Sequence, residues 1–227
     1  MDVIPVFSFL FEHFELFGIL ACLIILAALS IPIRMYTGRA GEKYSVLNHF
    51  VSELGEVGVS RGAKVFNGGL IAAGALFIPF TLGLGFSIQN FWAKFGMIAG
   101  IWTAVWLLLI GVFPMNSLKL HIIAALSFFD GGLATILFFT VGLWMQPAGM
   151  GILPRVMPWI GVVCIMIYIV FLTLNPRPSS DRVAGDFLRL DPLKNRPRIW
   201  MIPISEWLVV FLSILWYLST ALILLLN

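Results

Sequence analysis

The run FGILACLIILAALSIPIRM, Phe17 to Met35, decides the fold class. It carries no charge before Arg34, and as an α-helix it is long enough to cross a hydrocarbon core about 30 Å thick. Pro32 bends or ends this span and Arg34 anchors its exit. Five more apolar runs follow, at Val65–Phe86, Phe95–Phe113, Leu120–Trp144, Val156–Leu174 and Trp200–Leu226. The sequence therefore predicts an all-α fold: a polytopic, six-transmembrane-helix bundle forming one integral membrane domain over residues 1–227.

Composition agrees. Of 227 residues, 60% are hydrophobic and only 11% charged, and the mean hydropathy is +1.02. A water-soluble domain of this size cannot hide that much apolar surface. A β-barrel would alternate apolar and polar residues, and the uninterrupted runs exclude it. The formal charge of +3 does not point to nucleic acid, because the basic residues flank spans. The opening MDVIPVFSFLFEHFE has neither a basic leader nor a small-residue cleavage site, so no removable signal peptide is expected. Glu12, His13 and Glu15 read as interfacial and solvated. Cys22 and Cys164 sit inside apolar runs and read as small core side chains. No repeat emerges.

Between the first two spans lies YSVLNHFVSELGEVGV, Tyr44 to Val59. At 100° per residue, Val46, Leu47, Phe50, Val51, Leu54 and Val57 share one face, and His49, Ser52, Glu53 and Glu56 the other. An interfacial amphipathic helix is expected here. Small residues in the second span (Gly68, Gly69, Ala72, Ala73, Gly74) and the Gly96/Gly100 pair in the third suit close helix packing. Trp92, Trp102, Trp159, Trp200 and Trp207 read as boundary or packing aromatics.

Lysine and arginine fix an orientation. The loops after spans one, three and five hold Arg34, Arg39, Lys43, Arg61, Lys64, Lys119, Arg177, Arg182, Arg189, Lys194, Arg196 and Arg198, twelve of the fourteen basic residues. The opposite side holds only Lys94 and Arg155. The positive-inside rule places the rich side in the cytoplasm. In the last of these loops Phe187, Leu188 and Leu190 are expected to dip into the interface.

That side also gathers polar residues. Glu53, Ser52 and His49 come from the amphipathic segment, Asn67 from the second span, Asn116 from the end of the third, His121 from the start of the fourth and Glu206 from the sixth. Asp130 lies about 13.5 Å deeper than His121 on an ideal helix, and about half a turn round from it. Ionisable groups in a membrane pair or serve a function. One reading makes this layer a lipid headgroup pocket, with His49, Ser52, Asn67, Asn116, Glu206 and Arg61 as binding residues. Glu53, His121 and Asp130 would be its acid/base groups. Arg61 and Lys64 would attract anionic headgroups, each worth about 1 kcal/mol. Ser52 as a nucleophile lacks a GxSxG elbow. His49, Glu53 and His121 could supply metal ligands, but three histidines in all, with His13 on the far side, argue for no metal. Asp130 suits either proton-coupled transport or pairing with Thr103 or Trp106. A third reading is a hydrogen-bonded network that only locks the loop to the bundle.

SELG (Ser52–Gly55), FNGGL (Phe66–Leu70), GVFPMN (Gly111–Asn116) and His121, in this order and spacing, resemble the six-span proteins grouped as domain of unknown function 998, over roughly Ile19 to Leu225. That resemblance implies six spans and no particular activity. A more distant resemblance is to eukaryotic six-span proteins of the GPI-anchor lipid-remodelling and autophagy-modulator type, which carry an acidic motif after the first span. It implies lipid handling and transfers no catalytic residue. The expectation is a multi-pass protein of a prokaryotic plasma membrane with membrane lipids as partners. Lipid modification, a cofactor and a homo-oligomer are left open.

Overall fold

The computed structural model describes residues 12–147, 151–175 and 196–227. It contains six helices long and apolar enough to cross a membrane: α1 (Phe14–Met35), α2 (Ala63–Ser87), α3 (Phe91–Val112), α4 (Leu118–Trp144), α5 (Met157–Leu174) and α6 (Met201–Leu226). Hydropathy places their ends within a few residues, because the apolar run and the span are one physical quantity. Cys22 and Cys164 are buried free thiols in α1 and α5. Arg177, Arg182, Arg189, Lys194 and the Phe187, Leu188, Leu190 cluster lie outside the described residues.

Each helix packs on its neighbours in sequence, and α6 returns to pack on α1, closing a ring. With no hydrophobic drive between helices in lipid, close approach depends on small residues. The predicted glycines divide this work. A Cβ on Gly69 would run into Ala28 of α1, one on Gly74 would meet Ala104 and Leu108 of α3, and one on Gly100 would meet Thr81 of α2 and Thr135 of α4. Gly96 faces Phe139 of α4, so the Gly96/Gly100 pair is a packing device inside the ring. Gly68 meets nothing within 4 Å.

The segment between α1 and α2 departs from the expected amphipathic helix. Only Val51–Gly55 is helical, as a 3₁₀ turn, and Gly58 turns the chain at φ 87°. The two expected faces do not exist. His49 and Glu53 are buried at 3% and 7% exposure, whereas Val46, Leu47 and Val57 are exposed. The reason is local competition for backbone groups. Phe50 N donates to Glu53 Oε1 at 2.8 Å, Val51 N to Glu206 Oε2 at 2.9 Å, and Val57 N to Asn116 Oδ1 at 2.8 Å. Each bond takes a donor that an α-helix would need. The segment instead forms a plug. Tyr36 and Ser60 pair in an antiparallel bridge at its base, and its 3₁₀ turn packs on α1, α2 and α6.

One boundary expectation also changes. Glu15 is buried rather than solvated, with His13 Nδ1 3.8 Å from its carboxylate. Trp207 is a packing aromatic, buried, and its indole N–H donates to the plug at Tyr44 Oη and His49 O, both 3.2 Å.

Candidate functional site

Two structures meet at the plug end of the ring: a set of latches holding the plug, and a cavity beneath it.

The central latch is Glu53. Arg196, just before α6, grips it with two parallel bonds, Nη1 to Oε1 at 3.1 Å and Nη2 to Oε2 at 3.0 Å. The same guanidinium donates to Asn48 O at 2.8 Å, and Tyr36 Oη donates to Oε2 at 3.4 Å. With Phe50 N, both carboxylate oxygens are therefore engaged. Bidentate guanidinium–carboxylate pairs fix geometry as well as charge. Two more bonds tie the plug to this strap: Trp200 N to Leu47 O at 2.8 Å and Asn48 Nδ2 to Pro197 O at 3.2 Å.

Further latches come from the bundle. Asn67 of α2 donates to Gly55 O at 2.9 Å. Gly55 has to be glycine, since a Cβ there would collide with Asn67 Oδ1 and Phe66. Asn116, between α3 and α4, both donates to and accepts from the Val57 backbone. An exposed ion pair, Arg39 with Glu56, closes the outer edge. Arg61 is exposed and stands outside these contacts.

His49 lies between Tyr36 and Tyr44, ring centroids 5.4 and 4.9 Å away. Its Nδ1 is 2.8 Å from Asn48 Oδ1. Its Nε2 is buried and has no partner among the described residues. Burial holds the imidazole below its ordinary pKa, partly opposed by the Glu53 charge. Burial pushes the Tyr36 phenol up, with Glu53 adding to it, and does the same for Tyr44 with Glu206 and Glu53 adding.

The sign of the pH effect follows. A pKa lowered on docking means that the undocked segment binds more protons near and below 6.5. The His49 contribution to plug docking is fully present above about 6.5 and is lost as pH falls through the depressed value. Amide hydrogen exchange over residues 45–59 is expected to accelerate on acidification from pH 7.5 to 5, and His49→Phe is expected to flatten that dependence. An unchanged profile in the native chain would contradict the assignment to His49.

Below the plug, the ring encloses a cavity of about 90 Å³. All six helices contribute to its wall, as do Val51 and Ser52 of the plug. Along α2 the lining runs from Phe66 to Thr81, about 22 Å at 1.5 Å per residue. The wall is mainly apolar: Leu29, Leu70, Phe77, Leu107, Phe128 and Ile214 are typical. Four of its inner hydroxyls lie in pairs, and Thr81 and Tyr217 add two more to the wall. Thr103 Oγ1 is 3.1 Å from Thr135 Oγ1, and Tyr168 Oη is 2.9 Å from Ser213 Oγ.

The plug end of the cavity is different. Ser52, His121 and Glu206 line it. His121 Nδ1 lies 2.8 Å from Phe113 O. A carbonyl can only accept, so Nδ1 carries the proton and, in the neutral ring, Nε2 is a bare acceptor. Glu206 spends Oε2 on Val51 N. Among the described residues no lysine or arginine lines the cavity.

The predicted site residues thus sort by position. Glu53, His49, Asn67 and Asn116 gather at the plug end, where their bonds hold protein to protein. Ser52, His121 and Glu206 face the cavity. Asp130 is half-buried on α4 and does not line the cavity, as its half-turn offset from His121 requires. Among the described residues no group of three His, Cys, Asp or Glu side chains converges to hold a metal. Arg196, Tyr36, Tyr44, Tyr168 and Ser213 belong to the site and were not singled out in the sequence. Arg196 had a readable signal: a carboxylate as enclosed as Glu53 needs a cation.

No curated protein and no solved structure matches the chain. The family described as protein of unknown function (DUF998) matches residues 19–223. That span begins in α1, ends in α6 and takes in the plug and the whole cavity wall, so the chain belongs to this family.

Proposed function

We propose that the protein binds a membrane lipid by its apolar chain, held in the central cavity with the polar head at the plug end. One observation carries this reading. The ring leaves an elongated, mainly apolar space whose imidazole and carboxylate, His121 and Glu206, lie together at one end, which is the pattern of an amphiphile. The plug end faces the cytoplasm, supported by the twelve-to-two distribution of basic residues. Arg39, Arg61 and Lys64 there favour an anionic leaflet surface. The Glu53–Arg196 latch is structural in this reading: it roofs the cavity rather than touching the lipid.

The test uses the full chain in nanodiscs with an alkyl probe bearing a terminal diazirine. Photolabel is expected on wall residues such as Phe128 and Ile214 of the native chain. Ala125→Phe, which fills the cavity, is expected to remove that label, and Val210→Ala, which enlarges it, to keep it. Label confined to outward residues such as Leu23 and Ile98 would sink the proposal.

A further inference from the structure

The chemistry of the cavity's polar end narrows what it can hold. This step rests on the lipid-binding reading above. The geometry points to an amphiphile whose head donates hydrogen bonds and carries no negative charge, an amine or a hydroxyl, with Ser52, His121 and Glu206 as its contacts.

The observations are specific. His121 Nδ1 is committed to Phe113 O, which turns the lone pair of a neutral Nε2 toward whatever the ring faces. Among the described residues no hydrogen bond reaches that nitrogen. Glu206 holds Val51 N with one oxygen, and among the described residues nothing is bonded to the other. Ser52 adds a hydroxyl that can donate or accept. Together they offer more acceptors than donors.

Among the described residues, positive charge is what the lining of this end lacks. The Arg196 guanidinium is engaged with Glu53 and Asn48 on the roof and does not line the cavity, and Arg61 and Lys64 are exposed. As a carboxylate Glu206 repels an anionic head, and as a carboxylic acid it supplies a single donor. In neither form does it neutralise a phosphate, and a desolvated anion without a cation is heavily penalised. An ammonium or hydroxyl, by contrast, satisfies the acceptors already present. The described basic residues of this membrane face thus act at the surface, and the interior selects for the opposite charge.

The experiment compares octylamine, 1-octanol, octanoate and octyl phosphate as competitors of the diazirine probe, using the full chain in nanodiscs of neutral lipid. Octylamine and 1-octanol are expected to displace the probe at concentrations about tenfold or more below octyl phosphate, the equivalent of about one hydrogen bond's worth of discrimination. Glu206→Gln replaces the outward oxygen with an amide. It is expected to weaken octylamine by about tenfold, to change 1-octanol less, and to improve octanoate. Octyl phosphate competing as well as octylamine would overturn the head-group assignment and leave the cavity reading standing. Competition insensitive to Glu206→Gln would also overturn it. Failure of all four, with no label on the wall, would remove the lipid-binding reading itself.

Discussion

Arg196→Met is expected to release the plug. The substitution leaves the Glu53 carboxylate buried, with its Oε2 reduced to the 3.4 Å bond from Tyr36. Removing one partner of a buried ion pair costs about 3–5 kcal/mol, because the surviving charge is stranded. The pair qualifies as buried, with side-chain exposures of 13% and 10% for Arg196 and Glu53. The same change frees Asn48 O. Amide exchange over residues 45–59 is expected to rise sharply while the six spans stay protected. Glu53→Leu combined with Arg196→Met should recover much of the loss, since no charge is then stranded. If the double variant is as labile as Arg196→Met alone, the latch works through shape and not through charge.

Gly74→Val is the second large effect. A Cβ at this position would lie 2.7 Å from both Ala104 O and Leu108 N of α3. Those are backbone atoms of a helix and cannot rotate aside, so α2 and α3 must separate. Overpacking of this kind costs about 1–3 kcal/mol, and backbone targets put it at the upper end. The separation also opens the cavity wall, because Phe77 of α2 and Leu107 of α3 line it on either side of the crossing. A fall in thermal stability in detergent is expected together with loss of probe labelling. Gly68→Ala is the matched control, because a Cβ there meets nothing. Equal stability of the two variants would show that α2 and α3 do not depend on the close approach at Gly74.

The spans were legible because a membrane helix must be apolar along its whole length, and that requirement is written in consecutive residues. The plug was not. Its periodicity of 3.6 was real in the letters and absent in the chain. Glu206, some 150 residues away, supplies the acceptor for Val51 N, and Asn116 does so for Val57 N. Nothing within the segment announces either partner. Arg196 was counted as an orienting charge, which hid its second use. His121, Ser52 and Glu206 could be placed on one side of the membrane from their positions in the spans. That they share a cavity is a product of α6 closing on α1, a long-range event without a local signature. Asp130 was the reverse case, a conspicuous residue by composition that is half-buried and does not line the cavity.

The latch has a consequence for biosynthesis. Glu53 lies 143 residues from Arg196, and Val51 lies 155 from Glu206. A chain made from its N-terminus therefore carries the Glu53 carboxylate without its guanidinium at the membrane surface while the four helices α2 to α5 insert. The roof can be set only when the sixth has arrived, which makes closure of this fold a final event. Until then the ring is an open horseshoe, its groove accessible to lipid from the side.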